Sequence, residues 1–288
     1  MASAPAEQVS SPVGVIAGGG VMPFAVADSL SKRGIAPVLF ALRGACDPAG
    51  LARFRHHWIS VGELGRATKL FRSEGCRDLV FIGTLARPAI SDIRLDWGTL
   101  RVLPHVWASF RGGDDHLLSG IGRIFEREGF RMVGIKDVAP DLLTPEGCFT
   151  RAAPDADASA DIALAREVLN ALGPFDIGQA VVVIDRHVVG VEDIEGTDGL
   201  LGRIASLRQQ GRIRAGEKRG VLVKAPKPIQ DRKTDLPVVG VQTVKNARRI
   251  GLAGIAIEAG GALIVDRRVV AAEADKLGLF VVGIAPGA

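Results

Sequence analysis

Between Lys224 and Asp235 the chain packs Lys224, Lys227, Gln230, Asp231, Arg232, Lys233 and Asp235 among Pro226, Pro228 and Pro237. Carboxylates hold hard cations such as magnesium through oxygen, and ammonium groups neutralise phosphate oxygens, so this mixture suits a metal–phosphate site. A solvated loop would carry the same charges. The prolines stiffen this one, however, and it directly follows the apolar strand GVLVKA (220–225). In open α/β folds ligands bind just outside the carboxyl end of such a strand.

Three further groups carry chemistry less specifically. Gly18, Gly19 and Gly20 lie between a predicted strand and a predicted helix. There the absent side chains let backbone N–H groups reach a phosphate, or simply permit a tight turn. Pro23 stands where a dinucleotide fingerprint needs its third glycine, and no Gly-Lys-Ser or Gly-Lys-Thr makes a P-loop. In Glu195-Gly196-Thr197-Asp198-Gly199, Thr197 or Asp198 is expected to cap the next helix. The functional alternative turns that helix start toward a ligand. Gly112-Gly113-Asp114-Asp115-His116 opens a helix with acids that suit its dipole, and Arg87-Pro88 is placed for an anion at the end of a strand.

These groups need elements to position them. VGVIA, Pro37 to Leu42 and Asp78 to Gly83 read as buried strands, with helices at Pro23 to Ser31 and Glu63 to Ser73. The alternation predicts a parallel sheet with right-handed crossovers. Trp97 to Glu128 reads as helical, interrupted by Pro104, and Arg131 to Ile135 as a short strand. Residues 1–11 are expected to be a disordered leader, 12–138 a Rossmann-like domain, 139–157 a proline-bearing linker and 158–288 a second, mixed α/β domain. That domain should open with a helix at Asp161 to Leu172 and carry another at Thr197 to Gln210, a strand near Val238 and a helix from Thr243. VVVIDRHVVGVE from Val181 and ALIVDRRVVAAE from Ala262 share D-R-[HR]-V-V-x-x-E, which predicts one hairpin used twice.

Composition narrows the class. The 288 residues are 47% hydrophobic but only 5% aromatic, with 36 glycines and no tyrosine, which suits buried parallel strands and excludes a disordered chain. Cys46, Cys76 and Cys148 are too far apart for zinc and read as free thiols in a reducing cytoplasm; the histidines have no zinc-binding spacing. A net charge of +4 suits anionic ligands or the acidic face of a membrane. No nucleic-acid motif accompanies that charge, so nucleic acid is not an expected partner.

Taken in order, IAGGGVMP, GTLARP, GDDHLL, VEDIEGTDGL and VLVKAPKPIQDRKTDLPVVG resemble the metal-dependent UDP-2,3-diacylglucosamine pyrophosphatases of lipid A biosynthesis, the family found where the calcineurin-like enzyme is lacking. The resemblance runs along nearly the whole chain, and KPxQDxxxDLP is its distinctive part. It implies a two-domain fold with the ligand between the domains. It also implies magnesium-dependent hydrolysis of UDP-2,3-diacylglucosamine to 2,3-diacylglucosamine 1-phosphate (lipid X) and UMP, with Asp231 as the essential aspartate. Lys224, Lys227, Gln230 and Asp235 match the surrounding motif, while Gly18, Gly19, Gly20, Thr197 and Asp198 match family motifs without an assigned role. On that basis Asp231 is expected to hold Mg2+, with Lys224 or Lys227 on the diphosphate. A diacylated substrate also calls for an apolar slot and for peripheral contact with the inner leaflet. A homo-oligomer is compatible with the sequence. The alternatives are a non-catalytic sugar-nucleotide or lipid-binding protein, and a nucleotide-cofactor oxidoreductase that lacks both the third glycine and a ribose-binding acid.

Overall fold

The computed structural model describes residues 9–84, 114–213, 218–227 and 236–286, and of residues 114–119 the backbone alone. The chain divides into two compact units, with the break between Asp141 and Leu142.

In the first unit β1 (Val13–Ala17), β2 (Pro37–Leu42), β3 (His56–Ile59), β4 (Asp78–Ile82) and β5 (Arg131–Met132) form an all-parallel sheet in the order β3-β2-β1-β4-β5. That is the Rossmann order, with the switch of direction between β1 and β4. Helices α1 (Met22–Lys32) and α2 (Leu64–Ser73) are crossovers, and α3 (Asp114–Arg127) precedes β5. All of β1 is buried, as a central strand covered on both faces must be. Phe71 of α2 meets Phe40, Phe125 and Phe130 edge-on at 4.5, 5.2 and 5.4 Å, which centres the core on one face of the sheet. Asp78 opens β4 at 1% exposure, where a carboxylate needs a partner. Arg131, its register partner on β5, supplies two bonds of 2.7 Å. Of the expected leader, Ser10 donates its backbone N–H to the same carboxylate, and Ser11 Oγ accepts from Ala36 N. The strand expected through Ile135 stops at Met132, because Gly134 and Asp137 cap a single helical turn at Ile135–Val138.

The second unit is built on a six-stranded mixed sheet. Its order is β6 (Gly147–Cys148), β13 (Phe280–Ile284), β11 (Gly254–Glu258), β9 (Val221–Lys224), β7 (Ala180–Ile184), β8 (His187–Val191). The three middle strands β13, β11 and β9 are parallel; β6, β7 and β8 run antiparallel to their neighbours. A two-stranded parallel ladder, β10 (Val238–Val239) with β12 (Leu263–Ile264), lies apart. The valine-rich strands β7 and β9 are buried on both faces. Val181, Val183, Val221 and Val223 pack on α4 (Ala156–Leu172), while Ala180, Val182 and Leu222 join the cluster on the other face with α5 (Gly196–Gln209), α6 (Val241–Arg249) and α7 (Arg267–Leu277).

Within the stretch expected as linker, residues 142–157 are knit into this unit. Thr144 donates twice to Ala262 O, β6 pairs with β13, and Asp155 caps α4 so that the helix begins at Ala156 rather than Asp161. The first of the two similar segments is the expected hairpin, β7 to β8. Its two turn residues, Asp185 and Arg186, both have positive φ, as a tight two-residue loop requires. Buried Asp161 accepts from both their backbone N–H groups, at 3.2 and 2.6 Å. The second is not a hairpin. There the strand β12 gives way at Asp266, whose side chain accepts from Val269 N and caps α7. The letters after the shared Val-Val decide the outcome. Ala-Ala-Glu-Ala-Asp-Lys-Leu propagates a helix, whereas in the hairpin Gly190 leaves room for Leu200 of α5, which any side chain there would strike.

Candidate active site

At the carboxyl end of β9 the apolar run Val221-Leu222-Val223 ends in Lys224, a lysine only 5% exposed. Burying an ammonium is costly unless it finds acceptors. Lys224 Nζ donates to Thr197 Oγ1 at 2.8 Å and to Val238 O at 3.2 Å. The second bond ties the end of β9 to the start of β10, and so holds together the two flanks of the segment between them. Thr197 comes from the first turn of α5 and donates its own hydroxyl hydrogen to Glu192 Oε2 at 2.9 Å. Thr197 does not cap its helix, and neither does Asp198. The cap position is Glu195, without a side-chain cap bond, and Asp198 Oδ1 accepts from Asn246 Nδ2 of α6 at 2.8 Å. The expected capping role is thus absent, and both side chains bond to residues of other elements instead.

Around this centre, Lys227 Nζ donates to Asp176 Oδ1 at 2.6 Å and to Asp176 O at 3.2 Å. Arg203 of α5 holds Glu195 at 2.7 Å, and that bond keeps the Glu195 carboxyl below its ordinary range. Glu258, 8% exposed, closes β11 one residue beyond the register partner of Lys224. A side chain at Gly261 would run into the Glu258 carboxylate and the Pro226 ring, so that glycine is required by close packing. An open hollow of about 600 Å³ is lined by Ile177, Val191, Glu192, Asp193, Glu195, Gly199 and Arg203. The adjoining loops expose Phe175, Ile177 and Ile194, the last fully.

Of the residues singled out from sequence, Lys224 and Thr197 are in direct contact, Asp198 follows Thr197, and Lys227 lies three residues beyond Lys224. Gln230, Asp231 and Asp235 lie outside the described residues, as do Arg87, Pro88, Gly112 and Gly113. Asp114, Asp115 and His116 open α3, as expected. Gly18, Gly19 and Gly20 belong to the first unit. There Gly18 N donates to Ile82 O and Gly19 N to Thr84 O, and a side chain on either would strike Gly83 or Thr84. Their glycines therefore serve close approach of the β1 and β4 ends, and two of the three amides expected for an anion already have carbonyl partners. Glu192, Asn246 and Glu258 were not legible as site residues. Glu192 is the final Glu of the D-R-H-V-V-G-V-E segment, where its signal was absorbed into the apparent repeat. Among the described residues no three His, Cys, Asp or Glu side chains gather to hold a metal. The acids at this edge are nonetheless oxygen donors of the kind magnesium takes.

Comparison with known proteins covers both units. The family model described as the LpxI N-terminal domain matches residues 12–142, and that of the LpxI C-terminal domain matches residues 145–282. A protein of Caulobacter vibrioides named UDP-2,3-diacylglucosamine pyrophosphatase LpxI is 43% identical over 274 residues, covering 95% of this chain and 98% of the relative. Among solved structures, the CobK precorrin-6A reductase aligns over 97% of this chain and 89% of its own at 13% identity and a TM-score of 0.31, a likeness that says nothing of activity. With family models on both halves and a relative matched nearly end to end, the chain belongs to the LpxI family.

Proposed function

We propose that the protein hydrolyses the pyrophosphate bond of UDP-2,3-diacylglucosamine, releasing 2,3-diacylglucosamine 1-phosphate (lipid X) and UMP. The observation that carries this reading is the end-to-end 43% identity to a protein named for that activity. A buried, oriented ammonium at a strand end agrees with it. Water adds to one phosphorus, the bridging P–O bond breaks, and the proton count closes with one phosphate group on each product. The charge on the bridging and non-bridging oxygens grows as that bond lengthens, and a cation already in place stabilises it without reorganisation.

Lys224 is the described residue suited to that task, because the sheet edge fixes its head. Lys227, tied to Asp176, is the second candidate for the diphosphate. Asp231 is assigned as ligand to Mg2+, which when bound neutralises phosphate charge and orients the attacking water. Gln230 and Asp235 are assigned to substrate binding beside it. The exposed Phe175, Ile177 and Ile194 offer acyl chains or the inner leaflet an apolar surface. Incubating the purified protein with the substrate, with and without EDTA, and repeating with Asp231→Asn tests the assignment. The expected result is loss of turnover in both arms; full activity of Asp231→Asn removes that residue from the chemistry.

A further inference from the structure

We infer that Glu192 is a positioning residue for Lys224 and acts through the Thr197 hydroxyl. The inference rests on the reading that Lys224 meets the diphosphate.

The backbone sets the two ends of this relay. Glu192 N donates to Ala180 O, and Ala180 pairs in register with Lys224, so Glu192, Ala180 and Lys224 stand abreast across the β8, β7 and β9 positions. Two strand spacings put the outer backbones about 10 Å apart. Thr197, entering from α5, bridges the gap. Gly178, at positive φ, lets its loop approach the Glu192 carbonyl where a side chain would collide.

Hydrogen-bond direction gives the relay its function. A threonine hydroxyl has one hydrogen and two lone pairs. Because Thr197 gives that hydrogen to Glu192 at 2.9 Å, its lone pairs face Lys224 Nζ at 2.8 Å. Without the Glu192 acceptor the hydroxyl rotates, and its hydrogen can turn toward the ammonium. The bonds to Thr197 and Val238 O hold the Lys224 ammonium in one orientation. The carboxylate also strengthens the chain, since a charged acceptor polarises the hydroxyl between it and the cation.

The test is a set of variants of the full-length protein, Glu192→Ala, Thr197→Val, Thr197→Ser, the double variant Glu192→Ala/Thr197→Val, and Lys224→Met, assayed on UDP-2,3-diacylglucosamine with melting temperatures recorded. Glu192→Ala and Thr197→Val are each expected to lower kcat about tenfold, the worth of one oriented charged bond, with little change in KM. The double variant should fall no further than either single one, because the residues act as one unit. Thr197→Ser, which keeps the hydroxyl, should recover most of what Thr197→Val loses. Additive losses, or a Glu192→Ala enzyme with wild-type kcat, would overturn the inference while leaving Lys224 in place. Should Glu192→Ala fail to fold, Glu192→Met, which keeps the length of the side chain without its carboxylate, takes its place, wild-type kcat again being the contrary result. Full activity of Lys224→Met would overturn the Lys224 reading itself, and this inference with it.

Discussion

A lysine at the end of an apolar strand can turn out to solvent or stay in, and Lys224 stays in because a hydroxyl and a carbonyl receive it. Lys224→Met is therefore predicted to act twice. It should lower kcat by about 100-fold, in the range for removing one group that stabilises a developing anion. It should also cost about 1–3 kcal/mol in stability, since two buried acceptors lose their donor. Single-turnover kinetics and urea titration measure the two effects separately. Lys224→Arg is not expected to rescue turnover, because a planar guanidinium cannot occupy the ammonium's place between the same two acceptors. The cysteines make a second prediction at this scale. Burial, and after it the Glu74 carboxylate, pushes the Cys76 thiol up to about 12. Burial, followed by Asp47, also raises Cys46, whereas Cys148 is exposed. The thiolate is the reactive form, so a thiol reagent at pH 8 should titrate one of the three cysteines in the folded protein and all three in urea. Rapid labelling of Cys76 in the native state would contradict its burial.

Among the elements, the hairpin β7–β8 shows how a side chain from another element can hold a turn. Asp161 of α4 is 2% exposed and receives the backbone N–H groups of Asp185 and Arg186. Asp161→Ala leaves both donors without that acceptor and should destabilise the protein by about 1–3 kcal/mol, read as a lower urea midpoint with unchanged slope. An unchanged midpoint would show that water replaces the carboxylate. The same hairpin marks the limit of what the sequence discloses. Strands β1, β2, β4 and β9 were legible because runs such as VGVIA and VLVK are buried on both faces and carry no competing period. The duplicate segment was not, because D-R-[HR]-V-V is compatible with both a positive-φ turn and a helix cap. The choice between them is made outside the shared letters, by the residues that follow Val-Val and by the partner, Asp161 in one case and Val269 N in the other. At the site, Lys224 was singled out as a polar residue ending an apolar strand, whereas the acid–hydroxyl pair Thr197-Asp198 read as a helix cap and was tied to the site by the family resemblance. Glu192 and Asn246 were not, since their roles come from contacts 5 and 48 residues away along the chain. Gly18 and Gly19 were open to two readings, and in the structure their amides bond to the carbonyls of Ile82 and Thr84.

For the molecule as a whole, two units, one with the Rossmann strand order and one with a mixed sheet, match the two LpxI family models in turn. Among the described residues no helix is long and apolar enough to cross a membrane. The exposed Phe175, Ile177 and Ile194 together with a net charge of +4 predict peripheral binding. Flotation with vesicles containing anionic phospholipid should recover the protein at low salt and release it as screening increases. Absence from the lipid fraction at low salt would remove this prediction without touching the chemistry. The chemistry itself is tested most directly by product analysis. Purified protein incubated with UDP-2,3-diacylglucosamine and magnesium should yield lipid X and UMP in equal amounts by mass spectrometry, and EDTA should stop both. Intact substrate after prolonged incubation, or UDP with free diacylglucosamine in place of those products, would contradict the account.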